Sequence, residues 1–322
     1  MSMSRQYRDG ELVDKNFPLN RIDEHFAGKS AVWYDLVRPT PEDYRVLAQE
    51  LGLHQLAIED SIKGGQRAKI DHYDSHLFIN LYQANFPGED PELELAELAI
   101  FVTKDAVITV RQNENFRMDN VIKRWDESAE LAHFGVAFLL WGILDVVIDD
   151  YFKVIERLDN ELEELEDELF DPKPKDVTIQ KRSYHLRKSL VLLRRAAVPM
   201  REVINPLLKH NGEILHNEML PYYQDLYDHI MRVADWTDSL RDLVTTLLET
   251  NLTLQGNRMN LIMKQVTSWA AIIAVPTAIT GYYGQNIPYW GFGEAVGVWT
   301  SNILIVGISA ALFFAFKKRD WL

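Results

Sequence analysis

Charged residues disappear from two stretches near the C-terminal end of the chain. The stretch from Gln265 to Gly293 contains no Asp, Glu, Lys or Arg, and a second uncharged stretch runs from Ala295 to Phe316. Because a membrane-spanning helix needs roughly 20 mostly apolar residues, each stretch is long enough to cross a bilayer. Two buried core helices are the alternative, although core helices of this length normally keep a polar face. The pattern therefore predicts two consecutive transmembrane helices.

Basic residues beside these stretches predict the orientation in the membrane. Arg258 and Lys264 precede the first stretch, a Lys-Lys-Arg run at 317–319 follows the second, and the connection carries only Glu294. Basic flanks remain on the cytoplasmic side of a membrane. The N-terminal residues are polar and have no apolar signal-peptide core. We therefore expect a multi-pass protein of the cytoplasmic (inner) membrane with both termini in the cytoplasm.

The first part of the chain mixes strand and helix patterns. Pro41 opens an amphipathic pattern over 41–53 that predicts a helix. Lys104-Asp105 is a two-residue connection that predicts a hairpin. Alternating and β-branched patterns predict strands over 31–37, 76–84, 97–103 and 106–112. Together these signals predict a small α/β domain with a mixed or antiparallel sheet.

From about Phe116 onward the pattern is helical. Apolar residues recur every three or four positions over 136–170, which predicts one long helix. A second helix is predicted over 177–210, kinked or broken near Pro199 and Pro206. A third pattern over 217–283 predicts one helix of roughly 100 Å that begins in the cytosolic part and continues into the membrane.

The predicted fold class is an α+β cytosolic domain with long helices, plus two C-terminal transmembrane helices. The predicted segments are an N-terminal cytosolic α/β domain (1–135), a helical hairpin (136–216), a cytosolic stalk helix (217–264), a first span (265–285), an outer loop (286–296), a second span (297–316) and a basic cytosolic tail (317–322).

Opposite charges separate the two helices of the predicted hairpin. Acidic residues dominate 156–171 and basic residues dominate 173–201. An antiparallel hairpin places these runs side by side, which predicts a solvated pair joined by salt bridges. The acidic surface could also attract divalent cations or meet the basic tail, and these interpretations are compatible.

Composition excludes several classes of function. The formal net charge of −14 disfavours binding to nucleic acid, because an acidic chain repels phosphate. The chain has no cysteine, which excludes disulfides, thiolate metal sites and a cysteine nucleophile. His72 and His76 are four residues apart, but they precede a predicted strand, which favours a surface loop over a zinc site. No nucleophile–base arrangement is present, so we do not expect an enzyme.

The end of the first predicted span carries a recognisable sequence. It combines Asn257-Arg-Met-Asn260, Ala274-Val-Pro-Thr277 and Gly281-Tyr-Tyr-Gly284-Gln285-Asn286. This region resembles the CorA family of magnesium and cobalt channels, which carry an aromatic-Gly-Met-Asn signature at this point. The resemblance extends over most of the chain, from about Leu56 to Leu322. It implies a funnel-shaped homopentamer in a lipid bilayer, with the first spans lining a pore for divalent cations.

Two departures from the family pattern mean that the sequence does not determine which ion is transported. Gln285 stands where the signature has Met, and the outer loop has aromatic residues in place of an acidic segment. The family also contains zinc transporters with other residues at this position. Three classes remain: a Mg²⁺ channel that also passes Co²⁺ and Ni²⁺, a Zn²⁺ transporter with or without proton coupling, and a membrane-anchored cytosolic sensor.

The chemistry of the ion predicts which groups serve a pore. Mg²⁺ releases its water reluctantly, so a pore for the hydrated ion needs oxygens and amides that hydrogen-bond to that water. Such sites must be weak enough for the ion to leave. Asn286 side chains and Gly284 carbonyls at the mouth fit this requirement. The alternative is a turn that merely ends the helix.

Small residues form one face of the first predicted span. Their spacing of four, three and four predicts either a pore lining or close helix packing. At the inner end, Met263 and Val266 are apolar and suit a gate that closes by dewetting. The resemblance also places Asn260 on the pore. The small face consists of Ala270, Ala274, Thr277 and Gly281.

The resemblance further implies regulation by Mg²⁺ bound between cytosolic domains. One family ligand is an aspartate at the position of Asp225, and its partner lies in the loop after a middle strand. In this chain that loop offers Glu89 and Asp90. The alternative for Asp225 is an ordinary surface charge.

Overall fold

The computed structural model describes residues 3–26, 30–87, 92–171, 176–209, 216–285 and 287–322. The chain divides into two compact units, Met1–Thr246 and Leu247–Leu322.

A mixed β-sheet forms the centre of the first unit. Within the described residues it has seven strands in the order β2-β1-β3-β7-β6-β5-β4. Among the described strand pairs only β3–β7 is parallel, so the mixed form of the predicted sheet is confirmed. The strands are β1 (Met3–Arg8), β2 (Glu11–Lys15), β3 (Ser30–Val37), β4 (Lys69–His72), β5 (Leu77–Asn85), β6 (Glu94–Val102) and β7 (Ala106–Arg111).

The first two strands form a hairpin that the sequence analysis does not predict. Asp9 and Gly10 connect them, and both residues have positive φ angles of 51° and 87°. Two left-handed residues match the right-handed twist of neighbouring strands, which is why Asp-Gly is a common hairpin connection. The polar residues of β1 hide its strand pattern, because Ser4, Arg5 and Gln6 are all buried.

Helices cover both faces of this sheet. On one face, α1 (Pro41–Leu51) and α2 (Gln55–Lys63) pack their apolar residues against the sheet. On the other face, Trp33 of β3 contacts Trp125 of α3 (Met118–Glu127), with ring centroids 4.9 Å apart. The buried Asp35 carboxylate pairs with Arg111 at 2.6 Å and joins β3 to β7.

The long helices follow the sequence pattern closely. They are α4 (Val136–Leu169), α5 (Asp176–Lys209), α6 (Leu220–Tyr283) and α7 (Ala295–Lys318). The alternative of a break in α5 is wrong, because the helix continues through both Pro199 and Pro206. Buried Ala196, Met200 and Val203 hold this part of α5 in the core, so packing offsets the hydrogen bonds that proline removes.

Salt bridges join α4 and α5 as predicted. The Arg182 guanidinium of α5 lies 3.8 Å from Glu161, 2.8 Å from Glu164 and 2.6 Å from Glu168, all on α4. These acids recur every three or four residues, so they share one helix face. One basic side chain therefore neutralises part of the acidic run.

His72 and His76 do not form the predicted surface loop. His72 ends strand β4, and His76 is only 3% exposed. The His76 ring stacks on Tyr73 with centroids 4.9 Å apart, and Nδ1 lies 2.9 Å from the Ser75 hydroxyl. Burial, with a smaller effect of His54, lowers the pKa of His76 to about 4. His76 is therefore a neutral core residue at pH 7.

The second unit contains the C-terminal part of α6 and the whole of α7. Both α6 and α7 contain an apolar window long enough to cross a membrane, and these windows are almost entirely exposed. Trp269 of α6 contacts Phe313 of α7, with ring centroids 6.4 Å apart. Near the C-terminal end of the sequence, Trp321 stacks on Phe316, and the Trp321 backbone N–H donates to the Phe316 carbonyl at 3.0 Å.

Candidate ion pathway and regulatory site

The predicted signature lies where α6 ends. The Gly284 N–H donates to the Thr280 carbonyl at 2.8 Å, and the Gln285 N–H donates to the Tyr282 carbonyl at 3.3 Å. Both Gly284 and Gln285 are exposed. Asn286, the third residue of the signature, lies outside the described residues. The turn therefore leaves the Gln285 side chain accessible at the end of the helix.

Aromatic rings surround this turn. Tyr289 contacts Tyr283 and Phe292, with ring centroids 4.8 Å and 5.2 Å apart. A side chain at Gly297 would collide with the Gly291 carbonyl, so close backbone packing requires glycine there. The Gly-Phe-Gly sequence thus has a structural role at the start of α7. Tyrosine is favoured at membrane–water interfaces, which suits this position.

The predicted small face of α6 is exposed within the second unit. Ala270, Ala274, Thr277 and Gly281 are all exposed, whereas Ile272, Val275 and Ile279 are partly covered and Ser268 is fully buried. At 3.6 residues per turn, these two sets lie on opposite sides of the helix. The small face is therefore free to contact another molecule.

Hydroxyl groups supply the polarity inside this segment. The Thr277 hydroxyl donates to the Ile273 carbonyl at 3.1 Å, which leaves its oxygen lone pairs available as acceptors. Pro276 has no N–H, so the Ile272 carbonyl lacks its usual helical donor. The Thr280 hydroxyl donates to the Pro276 carbonyl at 2.8 Å. The segment thus offers neutral oxygens and no carboxylate.

The residues predicted for the inner end are also exposed. Met263 is 57% exposed and Val266 is 59% exposed, and Asn260 lies about one turn earlier on α6. An amide followed by large apolar side chains suits a constriction that closes by dewetting. In a single chain these side chains enclose nothing.

Asp225 lies on α6 within the first unit and is accessible. Its carboxylate is 63% exposed, and Oδ2 lies 3.6 Å from Nδ1 of His229. Asp225 and Asp149 both raise the pKa of Asp145, and His229 lowers it, which places all four residues in one electrostatic environment.

Burial is the largest cause of the raised pKa of Asp145, which is about 6. Arg124 of α3 opposes this shift, since its guanidinium pairs with both Asp145 (2.7 Å) and Asp149. The Arg124–Asp145 contact is an ion pair without hydrogen-bond geometry, and Asp145 Oδ2 has no hydrogen-bond partner within the described part of the chain. The Arg124 guanidinium thus pairs with two carboxylates in the environment of Asp225.

The described residues do not assemble a metal site around Asp225. No group of three or more His, Asp or Glu residues among them is arranged to hold a metal ion. Glu89 and Asp90, the predicted partners, lie outside the described residues. The sequence did not predict a role for Asp145, Arg124 or His229. Spacings of four (Asp145 to Asp149, Asp225 to His229) nevertheless place each pair on one helix face.

The fold and the two apolar C-terminal helices define the protein as a two-span membrane protein with a large α+β domain. The family described as "CorA-like Mg2+ transporter protein" matches residues 28–318. The chain belongs to the CorA family of metal-ion transporters. Since this family consists of transporters, the prediction that the chain is not an enzyme is confirmed.

Individual relatives agree with this assignment. The cobalt/magnesium transport protein CorA of Thermotoga maritima is 31% identical over 278 residues, covering 84% of this chain and 77% of the relative. The zinc transport protein ZntB of Yersinia pseudotuberculosis is 23% identical over 305 residues, covering 94% and 91%. The solved CorA magnesium transporter of Methanocaldococcus jannaschii has the same fold, with a TM-score of 0.78, 23% identity and coverage of 100% and 99%.

Proposed function

We propose that this protein moves hydrated Mg²⁺ across the cytoplasmic (inner) membrane, with Co²⁺ and Ni²⁺ as further substrates. The observation that carries the proposal is the exposed small face of α6, which combines Ala274, Thr277 and Gly281 in a segment without charge. Neutral oxygens hold the water shell of an ion without trapping it. The magnesium and cobalt transport named for the relatives supports this choice of ions.

The proposed assembly is a funnel-shaped homopentamer. A single pair of spans cannot enclose a path, whereas repeated copies of the small face can surround one. Gly284, Gln285 and Asn286 then form the outer mouth, and Asn260 and Met263 form the inner end. Both termini lie in the cytoplasm, and the domain boundaries proposed from the sequence are retained.

The proposed gate responds to cytosolic divalent cations. Asp225 is exposed beside Asp145 and Asp149, so an arriving cation meets an acidic surface. Glu89 or Asp90 of a neighbouring copy completes the regulatory Mg²⁺ site in this proposal. Carboxylates from different copies repel one another when empty, and a bound cation favours the closed state through its differential affinity.

A zinc transporter of the same architecture, with or without proton coupling, is the second candidate. Two observations favour it: Gln285 replaces the Met of the signature, and the relatives include a zinc transport protein. Gln285→Met separates the two candidates. If Gln285 sets selectivity, this change alters the ratio of Mg²⁺ to Zn²⁺ uptake without abolishing uptake.

Uptake into proteoliposomes tests the proposed function. Purified protein is reconstituted and uptake of Mg²⁺, Co²⁺ and Zn²⁺ is compared with and without a proton gradient. Mg²⁺ uptake that is independent of the gradient supports the main proposal. Zn²⁺ uptake that requires the gradient, without Mg²⁺ uptake, would favour the second candidate instead.

A further inference from the structure

A cavity within the first unit combines basic and apolar walls. It has a volume of about 470 Å³ and lies between α5 and the β4–β6 side of the sheet. This volume is within the range of small-molecule sites. Three guanidinium groups line it, from Arg67, Arg194 and Arg195, and none of the described residues in its wall is acidic.

The three arginines differ in how strongly they are already paired. Arg195 is exposed and has no ion-pair or hydrogen-bond partner among the described residues. Arg67 lies 4.0 Å from Glu202, and both side chains are largely exposed, so this contact is weak. Arg194 donates from Nε to Asp238 of α6 at 2.8 Å. The cavity therefore presents positive charge that the protein itself leaves largely unneutralised.

Two acidic residues near the cavity, Glu97 and Asp60, form hydrogen bonds with other groups. The Glu97 carboxylate accepts from the Gly65 N–H at 2.7 Å and from the Asn80 amide at 2.9 Å. Asp60 accepts from Lys69 at 2.6 Å and from Gln66 at 2.6 Å. Among the described contacts, neither carboxylate forms an ion pair or a hydrogen bond with Arg195.

The opposite side of the cavity is apolar and includes one aromatic ring. Leu95, Leu192, Val198 and Pro199 contribute aliphatic surface, and all are partly exposed. The Tyr82 hydroxyl donates to the Gln66 carbonyl, which fixes the orientation of its ring. Burial, with an added effect of Glu97, raises the pKa of Tyr82 to about 12, so the phenol stays neutral.

We propose that this cavity binds a nucleoside phosphate. Guanidinium groups bind phosphate through paired hydrogen bonds and fixed geometry, and they also stack on flat rings. The phosphates contact Arg195, Arg67 and Arg194. The base lies against Leu192, Leu95 and Tyr82. A purely apolar ligand would leave the arginines unused, and a free inorganic anion would leave the apolar wall exposed.

The Arg194–Asp238 pair gives binding a consequence for α6. Phosphate competes with the Asp238 carboxylate for Arg194, and this weakens the one described ion pair between α5 and α6. Because α6 continues to Tyr283, ligand binding shifts the balance between the closed and open states of the pore that this helix is proposed to line. This consequence rests on the proposed function, whereas nucleotide binding itself does not.

Calorimetric titration of the full-length protein in detergent tests the binding, with divalent cations removed by EDTA. The probes are ATP, inorganic triphosphate and adenosine. We expect saturable ATP binding at one site per chain, triphosphate binding at least tenfold weaker, and no measurable adenosine binding. Arg195→Ala should weaken ATP binding at least tenfold. Arg187→Ala, which removes an exposed arginine from the same helix outside the cavity, should change it less than twofold.

Several outcomes would overturn the inference. These are the absence of saturable ATP binding by the wild type, an Arg195→Ala affinity equal to the wild type, and a triphosphate affinity equal to that of ATP. Asp238→Asn tests the consequence for α6: the variant should bind ATP while its divalent-cation uptake no longer responds to ATP. A protein that binds ATP but transports no cation would contradict the proposed function alone.

Discussion

His229 and Asp225 lie one turn apart on α6, with Nδ1 of the imidazole 3.6 Å from Oδ2 of the carboxylate. The carboxylate remains 63% exposed, so this contact leaves it open to a cation. Asp145 and Asp149 add negative charge nearby, and Arg124 neutralises only part of it. Asp225 is thus an accessible acid in an acidic environment.

Asp225→Asn should weaken closure driven by Mg²⁺ while leaving the fold intact, because exposed substitutions usually cost under about 0.5 kcal/mol. The measurement is the rate of limited proteolysis with and without Mg²⁺. Asp228→Asn is the matched control, since Asp228 is another exposed acid on α6. Equal Mg²⁺ protection of Asp225→Asn and the wild type would exclude Asp225 as a regulatory ligand.

Gly142→Ala should destabilise the protein. A Cβ at this position would overlap the indole nitrogen of Trp125, which donates to the Leu139 carbonyl at 3.2 Å. Overpacking of this kind costs about 1–3 kcal/mol. Gly256→Ala is the control, because a Cβ there meets nothing within 4 Å, and alanine favours a helix over glycine by about 0.5–1 kcal/mol. The two variants should shift the thermal unfolding midpoint in opposite directions, and equal shifts would contradict the packing argument.

His76 should make the stability depend on pH. Its folded pKa of about 4 lies below the ordinary value of 6.5, so the unfolded chain binds the proton more readily. The contribution of neutral His76 to the free energy of unfolding is complete above pH 6.5, and it decreases as the pH falls toward 4. His76→Phe preserves the aromatic stacking and should reduce that loss by about 1–3 kcal/mol.

Unfolding midpoints measured between pH 7 and pH 4 test this expectation. His133→Gln changes an exposed histidine and should leave the pH dependence unaltered. If His76→Phe follows the same pH profile as the wild type, the buried neutral form of His76 is not the cause.

Asn286→Ala should reduce ion uptake at least tenfold while assembly and membrane level stay normal. In the proposed mouth, the amide oxygen accepts hydrogen bonds from the water shell of an arriving ion, and alanine removes this acceptor. Asn286→Asp adds a charge in every copy, so binding should tighten and release should slow. Uptake by Asn286→Ala equal to the wild type, at equal expression, would place the mouth site elsewhere.

Long helices were the most predictable part of this fold. Apolar residues recur over many turns of α4, and the uncharged runs of α6 and α7 leave few alternatives. The β1–β2 hairpin was missed because burial of Arg5 and Gln6 in paired contacts breaks the usual alternation. The Asp9-Gly10 pair was the available signal. The continuity of α5 through Pro199 depends on tertiary packing, which no local pattern contains.

The candidate site was less predictable than the fold. Sequence spacing identified the small face of α6, because a helical period depends only on local geometry. The environment of Asp225 comes from α3, α4 and α6, so only the folded chain brings Arg124 and Asp145 near it. The burial of His76 depends likewise on Tyr73 and Phe101, which pack against it from separate positions.

Labelling of single thiols shows directly whether the small face of α6 lines the ion path. The natural chain has no cysteine, so Thr277→Cys and Ile279→Cys each introduce a single thiol on opposite sides of one helix. Divalent-cation uptake is measured before and after treatment with a cationic methanethiosulfonate reagent. We expect the reagent to block uptake by Thr277→Cys and to leave uptake by Ile279→Cys unchanged. Block at Ile279→Cys alone, or no block at either position, would contradict the account.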